Sequence, residues 1–440
     1  MKALAAILIL LGAHWTVQGA AAQTHSQAPG GWSASVSKSP PAPPPARKHV
    51  APKAVPSPGV TGAVISHIGV AGDRKQTRLQ IRISKKTEFT AFSVGNPYRI
   101  VVDMEAAAFD PKLTKAQASA GLARDFRFGL FAENKARIVV DTDGPTRVVD
   151  AVFVPPRSEN EPGHLVIRIE ETTAAVVAAA DLATAATSIE IRPAPESKTA
   201  KPEGRKRPVI IVDPGHGGID PGAEGRIGPE KTVVLAVGKH VHRALSALDR
   251  YEVVMTRSTD VFIPLGERVR ISRKHHAELF VSIHADSLEQ KNFAQKVRGA
   301  TIYTLSERAS DERSRALADK ENASDLLAGL PISAAGGDVQ VRDILLDLVL
   351  RETSTLSADF RERLLTRLKP RMKLSRDPTK EAPFKVLRQP GSPSVLIELG
   401  YMSNTEDEKL MAQTAWQRGV GEAIARAIDD YFRHHKRPGR

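Results

Sequence analysis

Two histidines and a few carboxylates stand where a chain can do chemistry. His216 lies in Asp213-Pro214-Gly215-His216-Gly217-Gly218, His284 in Phe280-Val281-Ser282-Ile283-His284-Ala285-Asp286, and Glu398 in Val395-Leu396-Ile397-Glu398-Leu399-Gly400. Each follows a short apolar, β-branched run that is too short for a helix and reads as a buried strand. In open α/β sheets, ligands bind at the carboxyl edge of such strands. The loop after His216 carries Glu224 and Glu230, the latter directly ahead of Lys231 and an apolar helical stretch. His216, Glu230 and His284 therefore form a His–Glu–His set arriving at one sheet edge. Three such donors with one position left open is the pattern of a hydrolytic zinc site. A metal there makes water a usable nucleophile near neutral pH, and a further carboxylate must move a proton from that water to the leaving amine. Glu398 is placed for that task, and Asp213 and Asp286 flank the histidines as candidates to orient them.

Taken singly, these residues have plainer readings. A histidine in a glycine loop is a hydrogen-bonding loop residue, Glu398 is a strand-end carboxylate at a turn, and Asp213 and Asp286 are strand-end or cap acceptors. The spacing is long and lacks the local signature of a helical zinc motif, so the case rests on convergence at one edge. His240, His242, His275, His276, His434 and His435 fall in helical or tail contexts and read as surface residues.

The elements that must position this set occupy 208–432. A strand opens the region at Val209–Val212, followed by a helix over Thr232–Leu248, a strand over Tyr251–Thr256 and a basic helix over Pro264–His276. Strands over Phe280–Ile283 and Thr301–Leu305, helical patterns over Glu307–Leu330 and Val339–Leu368, a strand at Val395–Ile397 and a closing helix over Ala412–Phe432 complete it. Alternation of strands and helices predicts an α/β domain with a mixed sheet flanked by helices.

Residues 60–171 differ. Short alternating runs with turns between them predict an all-β sandwich without a catalytic set, a binding or targeting module. Arg99-Ile100-Val101-Val102-Asp103 returns as Arg137-Ile138-Val139-Val140-Asp141, which suggests a sandwich of two related small sheets. Residues 23–59 are Pro-rich and read as a disordered linker; 172–207, Ala/Thr-rich and then Pro/Glu/Lys-rich, read as a second linker with a helical tendency over Thr173–Ala186; 433–440 form a basic tail. A basic start, an apolar run over Ala3–Gly12 and the small residues Ala20 and Ala22 predict a signal peptide over 1–22, with Gln23 as the mature start and no transmembrane segment after cleavage.

The 440 residues carry 63 Lys+Arg against 50 Asp+Glu, a net charge of +13. That balance favours polyanionic partners such as nucleic acid, anionic lipid or an anionic wall polymer, although many of the cations solvate linkers and tails. The absence of cysteine excludes a disulfide framework and cysteine-ligated zinc.

The phrases VDPGHGGIDPGA, the Glu-Lys pair before a helix, FVSIHAD and VLIELGYMSN resemble, in order, the zinc-dependent N-acetylmuramoyl-L-alanine amidases of bacterial cell-wall turnover. The resemblance covers about 208–432. It implies Zn2+ on His216, Glu230 and His284, Glu398 as the catalytic carboxylate, and hydrolysis of the amide between N-acetylmuramic acid and L-alanine of peptidoglycan, in wall remodelling and daughter-cell separation. It also implies a periplasmic enzyme whose partner is peptidoglycan and not nucleic acid. Residues 60–171, with NPYRIVVDM, resemble the AMIN domain that precedes such amidases and is associated with wall targeting. Pro229 stands just ahead of Glu230, and the stretch 288–394 is longer than the bare fold needs.

That extra length contains a helical pattern over 306–330. Ala316, Ala323, Leu327 and Leu330 predict one apolar face, with Asp311, Glu312, Asp319, Glu321 and Asp325 on the rest. The family includes members held inactive by a helix in this region and released by LytM-domain activators, so the resemblance implies an inhibitory helix and such a partner; the plainer reading is a solvated helix packed on the sheet. Two other functions fit parts of the chain. A phosphate- or nucleotide-binding α/β domain would use Pro214–Gly218 as a backbone cradle, but leaves His284 and Glu398 without roles. A catalytically inactive wall-binding protein predicts a missing ligand, and none is missing.

Overall fold

The computed structural model describes residues 62–113, 118–158, 161–180, 207–287, 295–330, 344–389 and 391–435. The expected signal peptide and first linker, most of the expected second linker and the end of the basic tail lie outside the described residues. No helix among the described residues is long and apolar enough to cross a membrane.

Nine strands build the first part: β1 (Ala63–Gly72), β2 (Thr77–Ile83), β3 (Phe89–Val94), β4 (Arg99–Glu105), β5 (Ala107–Phe109), β6 (Ala123–Ala132), β7 (Lys135–Thr142), β8 (Thr146–Val154) and β9 (Gly163–Glu171). They form a five-stranded sheet, order β5-β1-β2-β9-β8, and a four-stranded sheet, order β3-β4-β7-β6. Alternate residues of both sheets, among them Ile68, Leu79, Ile81, Ile100, Val102, Ile138, Val140 and Ile167, meet in one apolar core. The repeated pentapeptide does not mark two sheets. Its copies are the neighbouring strands β4 and β7 of a single sheet, paired antiparallel with Arg99 opposite Asp141 and Asp103 opposite Arg137. Antiparallel pairing of identical Arg-to-Asp strands sets each cation opposite an anion, which favours this register. A short helix, α1, spans 174–180.

The second part has a six-stranded mixed sheet, order β13-β10-β14-β17-β15-β16, made of β10 (Val209–Pro214), β13 (Glu252–Met255), β14 (Leu279–His284), β15 (Ala300–Leu305), β16 (Leu374–Ala382) and β17 (Ser394–Glu398). A minimal hairpin, β11 (Glu224–Gly225) with β12 (Gly228–Pro229), precedes helix α2 (Glu230–Ser246). The other helices are α3 (Leu265–Lys274), α4 (Glu312–Asn322), α5 (Ser324–Leu327), α6 (Ile344–Leu368), α7 (Thr405–Met411) and α8 (Thr414–His434). Strand β10 is buried on both faces, as its unbroken apolar run requires. Ile210 and Val212 pack with Val237, Val241, Phe360, Ile424 and Ile428, whereas Val209 and Ile211 pack with Phe280, Tyr303, Leu317 and Phe384. Helices therefore cover both sides.

Three details depart from the sequence expectation. Strand β16 was not expected, because LSRDPTKEA has no apolar alternation; it is an edge strand paired only to β15. The closing helix begins at Thr414 and follows a separate helix, α7. The stretch expected as one helix over 307–330 divides into α4 and α5, and its buried face is Ser314, Leu317, Ala318 and Glu321, with Ala316 and Leu327 exposed.

Candidate active site

The carboxyl ends of β10, β14 and β17 lie side by side. Pro214 is in register with Ile283, and His284 with Glu398. His216 follows β10 in a loop where three successive residues have positive φ: His216 at 57°, Gly217 at 126° and Gly218 at 54°. That conformation is costly for a histidine and is held only where the surroundings over-determine it. Here they do. Buried Arg268 donates to the carbonyls of Pro214 and His216 at 2.9 Å each, and Arg257 donates to Pro214 at 3.0 Å and Gly215 at 2.7 Å. Gly215 has no side chain because a Cβ there would lie 2.4 Å from the His284 ring.

Asp213 anchors these arginines. It accepts from Arg268 at 2.7 Å, Thr256 at 2.6 Å and Ser282 at 2.8 Å. Burial pushes its carboxyl up, and Arg268 with the two hydroxyls outweighs that, so it lies below the usual range. Asp213 thus holds the loop, while the orienting partner of the His216 ring is Asp220, whose Oδ2 is 2.8 Å from Nδ1. Asp220 was present in the glycine-loop motif but nothing in its spacing assigned it this role.

Glu230 is the first residue of α2, fully buried, with its carboxylate at the positive end of the helix. Pro229 ends the β11–β12 hairpin and serves as the N-cap residue, which sets the entry of α2 without displacing Glu230. Its oxygens accept from the backbone N–H groups of Ala223 at 2.9 Å and Ala285 at 2.7 Å. Glu230 Oε1 lies 3.2 Å from His216 Nε2 and 3.3 Å from His284 Nδ1. Glu224 is exposed on β11 and does not join the cluster.

A fourth group enters from outside the sheet. Glu321, in the last turn of α4, places Oε2 3.4 Å from His216 Nε2 and 3.3 Å from His284 Nδ1. One donor atom each of His216, His284 and Glu321 lie within 4.8 Å of one another. Its neighbour Lys320 pairs with Asp286. Glu398 is also buried and accepts from the Asp286 N–H at 2.9 Å.

Electrostatically the cluster is unbalanced. Burial pulls the His216 imidazole down, but Asp220, Glu230 and Glu321 outweigh it and hold it well above its usual range. Burial pushes Glu230 up, and the two histidines draw it well below the carboxylate range. Glu398 has no such cation: burial, then the charges of Asp286, Glu230 and Glu321, push it well above. Among the described residues, buried His216 Nε2, His284 Nδ1, Glu321 Oε1 and Glu398 Oε1 have no hydrogen-bond partner. Orphaned nitrogens facing carboxylates in a dry site are what a divalent cation would satisfy, and an imidazole–carboxylate donor set suits zinc. The structure therefore brings His216, Glu230 and His284 together, sets Glu398 on the adjacent strand, and adds Glu321, Asp220 and the two arginines. His240 and His242 on α2, and His275 and His276 in the turn after α3, are half-buried and do not join the cluster.

Comparison with known proteins gives the family. Residues 210–430 match the family model described as N-acetylmuramoyl-L-alanine amidase, and 68–175 match the AMIN domain. The chain is 41% identical over 235 residues to the N-acetylmuramoyl-L-alanine amidase AmiA of Escherichia coli, covering 53% of this chain and 78% of that protein. It is 33% identical over 371 residues to AmiC of Neisseria meningitidis, covering 81% and 87%. The chain belongs to the N-acetylmuramoyl-L-alanine amidase family and carries an AMIN domain ahead of its catalytic domain.

Proposed function

We propose that this chain is a zinc amidase that cleaves the bond between N-acetylmuramic acid and L-alanine in periplasmic peptidoglycan, and that α4 holds it closed until an activator moves the helix. The observation that carries the reading is the pair of orphaned imidazole nitrogens at the ends of β10 and β14, with Glu230 beside both. His216, Glu230 and His284 would hold the metal, which when bound supplies the charge that polarises the scissile carbonyl and acidifies a water. Asp220 fixes the His216 tautomer through Nδ1, leaving Nε2 as the donor. Glu398, fixed by the Asp286 N–H, takes the proton from the attacking water and passes it to the leaving amine of L-alanine. Its raised affinity for a proton suits both halves of that transfer.

Glu321 stands where water and substrate would enter. Its carboxylate faces both histidines, and Lys320 engages Asp286, the residue that positions Glu398. A closed enzyme explains how a wall hydrolase is stored safely after export, and daughter-cell separation is the process such control serves. A LytM-domain protein is the class of activator the family resemblance implies. The plainer reading of α4 as a solvated helix does not account for a buried carboxylate beside two histidines.

The test is metal content and product release together. His216→Ala or His284→Ala loses zinc and hydrolysis at once. Glu398→Ala keeps about one zinc per chain and loses hydrolysis by roughly a hundred-fold or more. Loss of zinc from Glu398→Ala would remove the division of roles.

A further inference from the structure

Among the described residues, the two parts of the chain meet on the outer face of the four-stranded sheet. Strands β4 and β7 turn Ile100, Val102, Ile138 and Val140 inward, so Val101, Val139 and the Arg/Asp ladder face outward. The middle of this outer face is buried. Val94, Val101 and Val139 pack with Ile219, Phe262 and Ala328 of the amidase domain in a separate apolar cluster. Ile219 belongs to the His216 loop, Phe262 precedes α3, and Ala328 directly follows α5.

Contact between the backbones is close. Phe262 donates its N–H to the Leu130 carbonyl at 3.1 Å. A Cβ on Gly129 would fall 2.4 Å from the backbone of Gly218 and Ile219, and a Cβ on Gly329 would fall 2.8 Å from Val101. Phe131 stacks on Phe262 with centroids 5.8 Å apart.

The two arginine contacts fall on one target. Arg127 donates to the Leu327 carbonyl at 2.6 Å, and Arg137 donates to the Ala328 carbonyl at 2.9 Å. These carbonyls end α5, six and seven residues beyond Glu321, where cations complement the helix terminus. Each arginine is aimed by a bidentate carboxylate: Asp141 for Arg127 at 2.6 and 3.1 Å, Asp103 for Arg137 at 2.6 and 2.8 Å. Arg137 also lies 3.4 Å over the Phe131 ring.

The geometry points to a latch: the outer face of the AMIN sheet is the seat of the segment Leu327–Leu330, and docking of the AMIN domain keeps Glu321 in the active site. This rests on the occluding role proposed for α4. Apolar packing holds α4 lightly, since Leu317 and Ala318 are the only apolar side chains that it buries, and the rest of its hold is polar. The coupling runs both ways. Whatever draws the AMIN domain off the amidase loosens α4, and whatever withdraws α4 loosens the AMIN domain. Substrate engagement and opening of the site would then be linked through one face.

The test uses the full chain and three variants. Arg127→Ala is suitable because Arg127 and Asp141 are partly exposed, so no buried charge is left unpaired. Val139→Ser weakens the same face independently, and Glu321→Ala is the reference for an unblocked site. Hydrolysis of purified peptidoglycan without partner proteins and hydrogen exchange of 312–330 are measured on each. Loss of a charge-assisted contact should raise the open population about ten-fold, so Arg127→Ala gains activity and faster exchange in α4. Combined with Glu321→Ala it adds nothing further. If Glu321→Ala is activated while Arg127→Ala and Val139→Ser behave as wild type, the latch is wrong and the occlusion stands. If Glu321→Ala is not activated, the occlusion itself fails. Should Val139→Ser not fold, Arg127→Ala alone decides between these outcomes.

Discussion

The candidate metal site and the helix that carries Glu321, its proposed plug, are built in opposite ways. His216, Glu230 and His284 are fixed by the fold's best-packed elements. Their strands are buried on both faces, their loops are clamped by Arg257 and Arg268, and the Glu230 carboxylate is held by two backbone N–H groups. Glu321 rides on a helix of three turns whose buried face is half polar. That helix is fixed mostly by removable contacts: Asp311 capping Ser314 and pairing with Lys380, Lys320 on Asp286, Asn322 bridging Pro383 and Lys385, and the arginines beyond α5. If α4 occludes the site as proposed, the difference teaches how one chain keeps a ready-made site and a low-cost way to open it. On the proposed reading, preorganised donors need no rearrangement on activation, and the free-energy gap lies in the helix.

That contrast can be broken on the wall side with the larger effect. Arg268→Met leaves Asp213 buried without its cation, frees the His216 carbonyl and leaves that of Pro214 to Arg257 alone. Loss of one partner from a buried pair costs about 3–5 kcal/mol, so unfolding in urea should shift by about that amount and zinc affinity should fall with it. A variant with wild-type stability and zinc affinity would show that the loop is not held from beneath.

The plug side gives a smaller and pH-dependent effect. Asp325 opens α5, accepts from the Leu265 N–H at 2.9 Å and is pushed up to about 6 by burial. Its unfolded value is about 4. The folded state therefore holds the proton more tightly, and stability from this group falls as pH rises from about 4 to about 6. Asp325→Asn keeps an acceptor for Leu265 and removes that slope. At pH 7 it should stabilise by about 2 kcal/mol, within the shift that two pKa units allow. An unchanged slope between pH 4 and 6 would place the titration elsewhere.

The same contrast explains what could be read in the sequence. The strand-end histidines and Glu398 were legible because buried parallel strands are unbroken apolar runs that stop abruptly at chemistry. Glu321 was not legible, since five acidic residues on one helical stretch look alike until packing selects which one turns inward. The apolar face expected on Ala316 and Leu327 was misplaced for a related reason: α4 ends at Asn322, and the chain changes direction before α5. Arg268 belonged to a helix that reads only as basic, yet it is 2% exposed because Asp213 lies beneath it. The pentapeptide repeat was visible as a repeat, but its use was not. Alternation places Ile100, Val102, Ile138 and Val140 in the core and leaves the Arg/Asp ladder outside, and only the contact with Ala328 and Phe262 shows what that face covers.

The central claim is that a complete site is kept shut by one carboxylate. Its most direct test is the basal hydrolysis of purified peptidoglycan by Glu321→Ala, measured alongside zinc content and without any partner protein. The account predicts a folded variant with about one zinc per chain and activity at least ten-fold above the intact enzyme, because the donors of the wall hold the metal unaided. A zinc-loaded Glu321→Ala with unchanged basal activity, or one that loses its zinc, would contradict it.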